Sequence, residues 1–451
     1  MTKQAKVYHA ELWGTREDKY AELREQDVDT TKWTELSPQS PFYLFKLQDT
    51  TLATEYERAW KITDIFPVNS VGIVTARDAL TIRWSEEEVW HIVRDFVKLP
   101  EHEAREKYNL GQDVQDWKVG QAQLDVKESG PKRNNVVPLL YRPFDIRFTY
   151  YTGKSRGFIC RPRSEVMRHV TAGENVALIT SRMTKGETFR HAQVTRNIVE
   201  VICMSPKTSN NGFVFPLYLY PDPEKDGDLF ANGTSRHVNL NPDFVKNVQE
   251  RLRLSFVLDG TGDLTKTFGP DDVFHYIYAI FHSPIYRERY SEFLKIDFPR
   301  VPLTSDKKLF RSLCSRGKEL VALHLLERPK VSRFITRYPV PGDDLVAKGH
   351  PRYLAPGEPD PGTGKPLNKG SSAESVDGFS EAWLPCPMAR GEETRKTRSQ
   401  GDRGQHRGGG HPCSKSMPKI TTGRGSPRTA KSGGKRRSGP LTASIPTHRF
   451  C

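Results

Sequence analysis

YRPFDIRFTYY, residues Tyr141–Tyr151, joins aromatic and arginine residues in one short stretch. Its second part, Phe144–Tyr151, carries β-branched and aromatic residues at the alternating positions typical of a strand. Three further runs of this kind, broken by Gly and Pro, lie between residues 135 and 220, at Asn175–Thr180, Ile198–Met204 and Gly212–Tyr220. The composition therefore predicts a mixed, β-rich domain in this part of the chain.

Helical patterns lie on both sides of the β-rich region. Ser85–Lys98 begins with a Ser cap and acidic residues, and its apolar residues fall on one helical face. Asp271–Phe281 follows Pro270 and also has an apolar face. We expect other helices at Val114–Lys127, Pro242–Arg253 and Lys307–Leu326. The predicted fold class is therefore α+β, with helical elements on both sides of a β-rich domain.

The two ends of the chain differ from its centre. Lys6–Trp13 alternates apolar and polar residues, and Pro38–Phe45 suggests a second extended piece, so we expect short strands there. From about Ser371 the sequence is rich in Gly, Ser, Pro, Arg and Lys and lacks apolar periodicity. Such a composition buries too little apolar surface to offset the entropy of ordering, so we expect a disordered tail.

Positive charge is concentrated in two places. The 451 residues carry a formal net charge of +14, and residues 371–451 hold 15 Lys and Arg against 6 Asp and Glu. Residues 142–207 hold 12 basic against 5 acidic residues, which makes this the one locally basic internal segment. A basic segment within a folded domain favours a nucleic-acid partner.

Several classes of protein are disfavoured. The six cysteines show no spacing typical of a zinc site or a disulfide framework, so we expect ordinary thiols and no metal. No run of residues is apolar enough for a membrane span, and the first residues lack a signal-peptide pattern. A cytoplasmic protein without a membrane partner is the expectation.

Four segments carry a resemblance to a known family. They are VGIVTARD at Val71–Asp78, YRPFDIRFTYY at Tyr141–Tyr151, RPRSEVMRH at Arg161–His169 and DVFHYIYAIFHSPIYRERYSEFLKIDF at Asp272–Phe298. Their order and spacing resemble the region after the catalytic domain of type ISP restriction-modification enzymes, whose methyltransferase is adenine-specific. The likeness runs from about Val7 through Lys369 and includes YPVPGDDLVAKGHPRYL at Tyr338–Leu354.

The resemblance implies that separate parts of the full-length enzyme carry separate functions. Family members carry a nuclease, an ATP-driven translocase that uses Mg²⁺, a methyltransferase that uses S-adenosylmethionine, and a target-recognition region. Only the last methyltransferase strands and the recognition region correspond to this chain, so no cofactor is expected in it. The expected domains are truncated methyltransferase strands (1–75), a helical connector (76–130), a β-rich target-recognition domain (131–230), a helical part of the specificity region (231–370) and a basic tail (371–451).

Two short patterns imitate catalytic motifs. Adenine methylation in this family needs an Asn/Asp-Pro-Pro-aromatic motif and a Gly-containing cofactor loop, and we find neither. Asn241-Pro242-Asp243-Phe244 has Asp at its third position and is better explained as a helix start. Asp259–Asp263, DGTGD, is better explained as a turn. The nucleotide-binding pattern G-x-x-x-x-G-K-[ST] is also absent from the sequence.

The predicted function is sequence-specific recognition of double-stranded DNA as the specificity portion of an adenine methyltransferase. The catalytic half would lie in the same enzyme or on a separate chain, and this chain is not expected to be an enzyme by itself. Two alternatives stay open: an inactive remnant of such an enzyme, and a methyltransferase active alone. The tail after Lys369, where the resemblance stops, is interpreted either as a nonspecific DNA-binding arm or as the product of a frameshift, and the abrupt change favours the frameshift.

DNA recognition needs cations for phosphates and planar donors for base edges. Two basic loops, Lys154–Arg168 and Ser181–Arg190, supply both, and their Gly residues permit tight turns. Tyr141, Phe144, Phe148 and Tyr150 alternate as strand residues do, so we expect them to pack in the core. Internal ion pairs with Asp145 are the alternative to DNA contact for Arg142 and Arg147. The side chains predicted to contact DNA are Thr75, Arg77, Arg142, Arg147, Lys154, Arg156, Arg161, Arg163, Arg168, Arg182, Lys185 and Arg190.

Overall fold

The computed structural model describes residues 5–333 apart from 41–42, 48, 50, 115 and 222–235, and the backbone of two later strands. The strands are β1 (Val7–His9), β2 (Thr34–Leu36), β3 (Trp60–Lys61), β4 (Ser70–Val71), β5 (Val136–Arg142), β6 (Asp145–Tyr150), β7 (Ala177–Thr180), β8 (Ala192–Thr195), β9 (Ile198–Val199), β10 (Phe213–Pro216), β11 (Tyr218–Leu219), β12 (His237–Val238), β13 (Ser255–Phe256), β14 (Thr267–Phe268), β15 (Arg300–Val301), β16 (Arg352–Leu354) and β17 (Ser371–Ala373).

Helices occupy much of the remaining described sequence. They are α1 (Arg16–Glu25), α2 (Ala53–Glu57), α3 (Ile62–Ile65), α4 (Asp78–Thr81), α5 (Glu86–Phe96), α6 (Glu101–Lys107), α7 (Val119–Ser129), α8 (Ser164–Thr171), α9 (Pro242–Leu252), α10 (Pro270–His282), α11 (Pro284–Arg289), α12 (Ser291–Leu294) and α13 (Lys307–His324). The described residues divide into two units, of which the first holds residues 5–333 and the second holds β16 and β17. In the second unit β16 pairs with β17 in antiparallel fashion.

A four-stranded sheet with the order β4-β10-β7-β8 lies between two hydrophobic cores. Successive residues of a strand point to opposite faces of its sheet. Accordingly Leu178 and its antiparallel neighbour Phe215 belong to one core, whereas Ile179 and its neighbour Val214 belong to the other. The sheet is buried on both faces, and only its edges remain for other contacts.

The first core is built around the packing of α10 against α13. Tyr276, Ile277 and Phe281 on α10 are buried there. Gly317 on α13 faces α10 so closely that a Cβ atom at this position would lie 1.8 Å from the carbonyl oxygen of His275. The close approach of the two helices therefore requires glycine at position 317.

The second core joins helices α5–α8 to the three-stranded sheet β6-β5-β9. Trp117, Tyr150 and Phe158 are fully buried within it. Helix α5 starts where the sequence predicts, because Ser85 and Glu88 form a reciprocal capping box. This core holds the helical connector against the β-rich part of the chain.

The predicted fold class is confirmed as mixed α and β, and the main helices lie close to their predicted ranges. Asn241 caps α9 with Pro242 in its first turn, so the false catalytic pattern is a helix start as expected. Residues 259–263, predicted as a turn, belong to neither a helix nor a strand. Among the described residues, the buried cysteines Cys160, Cys203 and Cys314 are free thiols.

Other expectations need correction. The second N-terminal strand lies at Thr34–Leu36, and the described residues of Pro38–Phe45 form none. The strand predicted from Ile198 ends at Val199, since turns follow it. Phe144, expected in the core with Tyr150, is 53% exposed because it lies at the bend between β5 and β6. Of the tail, only β17 is described, so its predicted disorder concerns residues outside the described part.

Candidate nucleic-acid interface

Strands β4, β5 and β7 run in one direction, so their carboxyl ends leave the β-structure on one side. Strand β10 is antiparallel to both β4 and β7, and β5 is parallel to β9. A parallel bridge between Ile73 and Glu200 joins the two sheets, and an antiparallel bridge from Val74 to Arg161 adds a further segment. We call this side of the molecule the basic edge, and it comprises residues 72–78, 141–147, 156–163 and 181–191.

Thr75 and Arg77 stabilise the loop after β4. Thr75 is buried, and its hydroxyl hydrogen-bonds to the carboxylate of Asp78. The Arg77 guanidinium donates to the carbonyl oxygens of Leu110 at 3.0 Å and Gln112 at 2.8 Å. It also lies 5.1 Å from the centre of the Trp117 ring. Thr75 therefore holds the loop against the start of α4, and Arg77 fixes it to residues 110–117.

Arg142 and Arg147 take part in internal ion pairs. Arg142 Nη1 lies 2.6 Å from a carboxylate oxygen of Glu200, a residue 58 positions away in sequence. Arg147 makes the anticipated pair with Asp145, through Nε at 3.0 Å and Nη2 at 2.9 Å. Burial raises the pKa of Glu200. The hydrogen bond from Ile202 N–H and the positive charge of Arg142 act against this rise. These arginines are consequently anchored to the framework of the basic edge.

The two guanidinium groups also stack on aromatic rings. Cζ of Arg147 lies 3.9 Å from the ring centre of Trp84 and 4.2 Å from that of Tyr141. Cζ of Arg142 lies 3.9 Å from the Tyr141 ring centre. The Tyr141 hydroxyl donates to Asp78 at 2.9 Å, and burial followed by this hydrogen bond raises the pKa of Tyr141. The sequence indicated Tyr141, Arg142 and Arg147 as members of this cluster but gave no indication of Trp84.

The segment 154–163 carries the most exposed cations of the first predicted loop. Lys154 pairs with Glu128 and Arg161 pairs with Asp116, but all four of these side chains remain at least partly exposed. Arg156 is exposed and has a positive φ of 59°. Such a conformation is unfavourable for a residue with a Cβ, and it is one that clusters at functional sites.

An open cavity of about 360 Å³ lies beside this segment. Its lining residues are Asp116, Ser155, Arg156, Cys160, Arg161, Arg163 and Glu165. Arg163 also has a positive φ, of 54°, and its buried Nε has no hydrogen-bond partner among the described residues. Three arginines against two carboxylates give the cavity walls a net positive charge. The walls offer guanidinium donors to an anionic group.

The second predicted loop is held by a polar network. Arg182 Nε lies 3.3 Å from Asp297, and Lys185 Nζ donates to the carbonyl oxygen of Ser209 at 2.8 Å. His191 Nε2 lies 3.1 Å from Glu187 at the end of the loop, and burial lowers the pKa of His191. Arg190 is exposed. This loop therefore leaves the sheet at the basic edge with a defined shape.

Lys154 follows the carboxyl end of β6, which is antiparallel to β5, so Lys154 lies away from the basic edge, where it pairs with Glu128. The other predicted residue away from this edge is Arg168. It is on α8, and its Nη1 donates to the carbonyl oxygen of Tyr220 at 2.9 Å. Tyr220 follows β11, beyond the carboxyl end of β10, which is antiparallel to β4 and β7. The structure brings the other ten residues to the basic edge and leaves Lys154 and Arg168 apart.

Within the described ranges, no group of three or more His, Cys, Asp or Glu side chains is arranged to hold a metal ion. None of the helices described has the length and apolarity needed to cross a membrane.

Fold and site together define a mixed α/β protein with helices on both faces of a sheet and a cation-rich edge. The chain belongs to the family of the Type ISP C-terminal specificity domain, which it matches over residues 64–362. That range includes all twelve predicted site residues. No match was found among curated proteins.

Solved structures similar to this chain are larger proteins. The DrdV–DNA complex is 22% identical with a TM-score of 0.49, over 69% of this chain and 30% of DrdV. A nuclease-deletion mutant of the Type ISP restriction-modification enzyme LlaGI, in complex with a DNA substrate mimic, is 19% identical with a TM-score of 0.48. The match covers 72% of this chain and 28% of the LlaGI chain. The ATP-dependent Type ISP restriction-modification enzyme LlaBIII, bound to DNA, is 18% identical with a TM-score of 0.46. The match covers 65% of this chain and 18% of the LlaBIII chain. The chain thus spans less than a third of the length of each.

Proposed function

We propose that this chain recognises a specific sequence in double-stranded DNA, as the specificity portion of an adenine-specific restriction-modification methyltransferase of the cytoplasm. Membership of a specificity-domain family supports the assignment. The observation that carries it is the convergence of basic residues from four separate segments on one edge. Cations gathered at fixed positions on one surface suit the regularly spaced phosphates of a duplex.

Within this proposal the cations have two kinds of role. Arg156, Arg161, Arg163 and Arg190 contact DNA, and all of these except Arg163 are exposed. A second set holds the surface in shape through internal contacts, which limits the ordering that binding requires. Its members are Thr75, Arg77, Arg142, Arg147, Arg182 and Lys185.

Methyl transfer belongs to another portion of the enzyme in this proposal, either in the same polypeptide or on a separate chain that uses S-adenosylmethionine. Support comes from residues 8–47, where many large apolar side chains are exposed, among them Trp13 at 78% and Val28 at 75%. A concentration of such residues is typical of a surface that another protein segment covers.

The test is selection from a randomised duplex library by the purified full chain at about 0.15 M salt, where nonspecific binding through phosphates is weakened. Enrichment of one short word would support a working recognition module. A matched selection with the Arg161→Ala/Arg163→Ala variant should retain much less DNA. Soluble, folded protein that enriches no word would contradict the proposal and favour an inactive remnant.

A further inference from the structure

Trp84 is an exposed aromatic residue whose backbone is fixed on both sides. The residue before it, Arg83, exchanges two backbone hydrogen bonds with Phe148 of β6, at 3.0 Å and 2.8 Å. The residue after it, Ser85, caps α5. Nevertheless the Trp84 side chain is 56% exposed. A large apolar ring held at a fixed position in solvent is suited to contact a ligand.

One side of the Trp84 ring is occupied by the cation of Arg147. Since Arg147 Cζ is 3.9 Å from the Trp84 ring centre and 4.2 Å from that of Tyr141, the guanidinium contacts both rings. Hydrogen bonds from Nε and Nη2 to the Asp145 carboxylate set the plane of this guanidinium. The Arg147 guanidinium therefore packs against one face of the indole. A ligand that binds to the other face needs little further ordering of the Trp84 side chain.

The carboxylates near Trp84 have hydrogen-bonded partners. Asp145 pairs with Arg147, while Glu86 and Glu87, in the first turn of α5, both pair with Arg133. Asp78 accepts the hydroxyls of Thr75 and Tyr141. Glu88 closes the capping box with Ser85, so the carboxylates near Trp84 outnumber the neighbouring arginines. The uncharged face of a base therefore suits this ring better than a phosphate does.

We propose that Trp84 is a stacking platform for one unpaired nucleobase of the bound DNA. The inference rests on the proposed function and extends it, because it assigns a contact to a base taken out of the duplex rather than to phosphates or groove edges. Every nucleobase has a flat face, so an exposed ring with a cation behind it can stack on any of them. Its position beside Tyr141 and Arg147 places the platform next to the basic edge.

The experiment compares two duplexes of about 30 base pairs that differ by one unpaired 2-aminopurine, using the full chain and fluorescence anisotropy. We expect the unpaired base to tighten binding roughly tenfold, as one stacked base commonly does. Trp84→Ala should bring the ratio of the two affinities close to one, whereas Trp84→Phe should keep most of it. Trp13→Ala, which removes a more exposed tryptophan outside the basic edge, should leave the ratio unchanged.

A second readout uses the fluorescence of the 2-aminopurine itself. Stacking on Trp84 should quench it in the native protein, and Trp84→Ala should abolish the quenching. An unchanged affinity ratio and unchanged quenching in folded Trp84→Ala would overturn the platform while leaving DNA binding intact; a protein segment would then be the ligand of this ring. Native protein that binds neither duplex would instead overturn the proposed function, and this inference with it.

Discussion

The carboxylate of Asp125 accepts the backbone N–H of Phe158 at a distance of 2.8 Å. Asp125 belongs to α7 of the helical connector and is buried, whereas Phe158 lies in the segment that carries the exposed arginines. The same carboxylate accepts the Thr152 hydroxyl at 2.9 Å. A Cβ at Gly157 would lie 2.1 Å from this carboxylate, so the loop can approach it only with glycine there. One buried side chain thus sets the position of segment 154–163.

Replacing Asp125 with Ala should destabilise the protein by about 1–3 kcal/mol, because the buried N–H of Phe158 loses its acceptor. Chemical unfolding measures the change. Glu128→Ala is the matched control on the same helix, since Glu128 is exposed and pairs only across the surface with Lys154. That variant should change the unfolding free energy by less than about 1 kcal/mol. Equal losses in the two variants would contradict the role assigned to Asp125.

Gly317→Ala should separate α10 from α13, since the added methyl group would overlap the carbonyl group of His275. Overpacking of this kind costs typically about 1–3 kcal/mol, and the backbone contact here allows little relief. Ser312→Ala, at an exposed position of the same helix, should stay within about 0.5 kcal/mol of the native value. A Gly317→Ala protein with native unfolding free energy would show that the two helices can shift apart freely.

Local signals explain which parts of the fold could be predicted. The Ser85 cap and the apolar period of the following residues specify α5, and Pro242 specifies the start of α9. Helix α1 was missed although Thr15 and Asp18 form the T-x-x-D signature of a capping box. No buried residue lies on α1, so it lacks the apolar period that identified the other helices.

The site was less predictable because its contacts join distant parts of the chain. Sequence proximity indicated Asp145 as the partner of Arg147, correctly, but gave no means to find Glu200 as the partner of Arg142. The separation of Arg168 from the other cations depends on the direction of β10 relative to β4 and β7. Charge and composition locate a basic segment, whereas strand order decides which of its cations share a surface.

Arg142→Ala should destabilise the protein by about 3 kcal/mol at pH 7, because it leaves the buried Glu200 carboxylate without its cation. Burial raises the pKa of Glu200 above the ordinary 4.5, and Arg142 opposes the rise, so the variant should raise it further. A raised carboxyl pKa gives stability that is fully present below about pH 4.5 and is lost as the pH rises through the folded-state value.

The loss caused by Arg142→Ala should consequently be smaller at pH 5 than at pH 7. Unfolding in denaturant at both pH values provides the measurement. In the Glu200→Gln background, which removes the buried charge, the same arginine substitution should cost less and show little pH dependence. A loss of equal size at both pH values would mean that packing of Arg142 on Tyr141, rather than its charge, stabilises this region.

Exposed apolar residues near the amino terminus should cause self-association of the isolated chain. Trp13, Val28 and Phe45 are 78%, 75% and 69% exposed. Replacing them together with Gln, Thr and Gln should lower the sedimentation-average mass at high concentration and leave DNA affinity unchanged. Leu258→Gln, at a position that is 79% exposed but far from these residues in sequence, should have little effect, since scattered apolar residues are common on surfaces. Unchanged association in the triple variant would contradict this assignment.

Arg161 and Arg168 offer a sharp test of which side of the molecule meets DNA. Each lost phosphate contact lowers the slope of log affinity against log salt concentration by about 0.9. Arg161→Ala should lower the slope by this amount, because Arg161 is exposed at the basic edge. Arg168→Ala should leave it unchanged, because Arg168 donates to Tyr220 on the other side. Titrations between about 0.05 and 0.2 M salt give the slopes.

The ion pair between Arg161 and Asp116 supplies an independent variant for the same test. Asp116→Ala removes a negative charge from the cavity beside Arg161 and releases its guanidinium, so DNA affinity at low salt should rise. If Arg161 served only to hold Asp116, then both Ala variants would lower stability together and neither would change the salt slope. A lower slope for Arg161→Ala, combined with tighter binding by Asp116→Ala, requires a phosphate at this position.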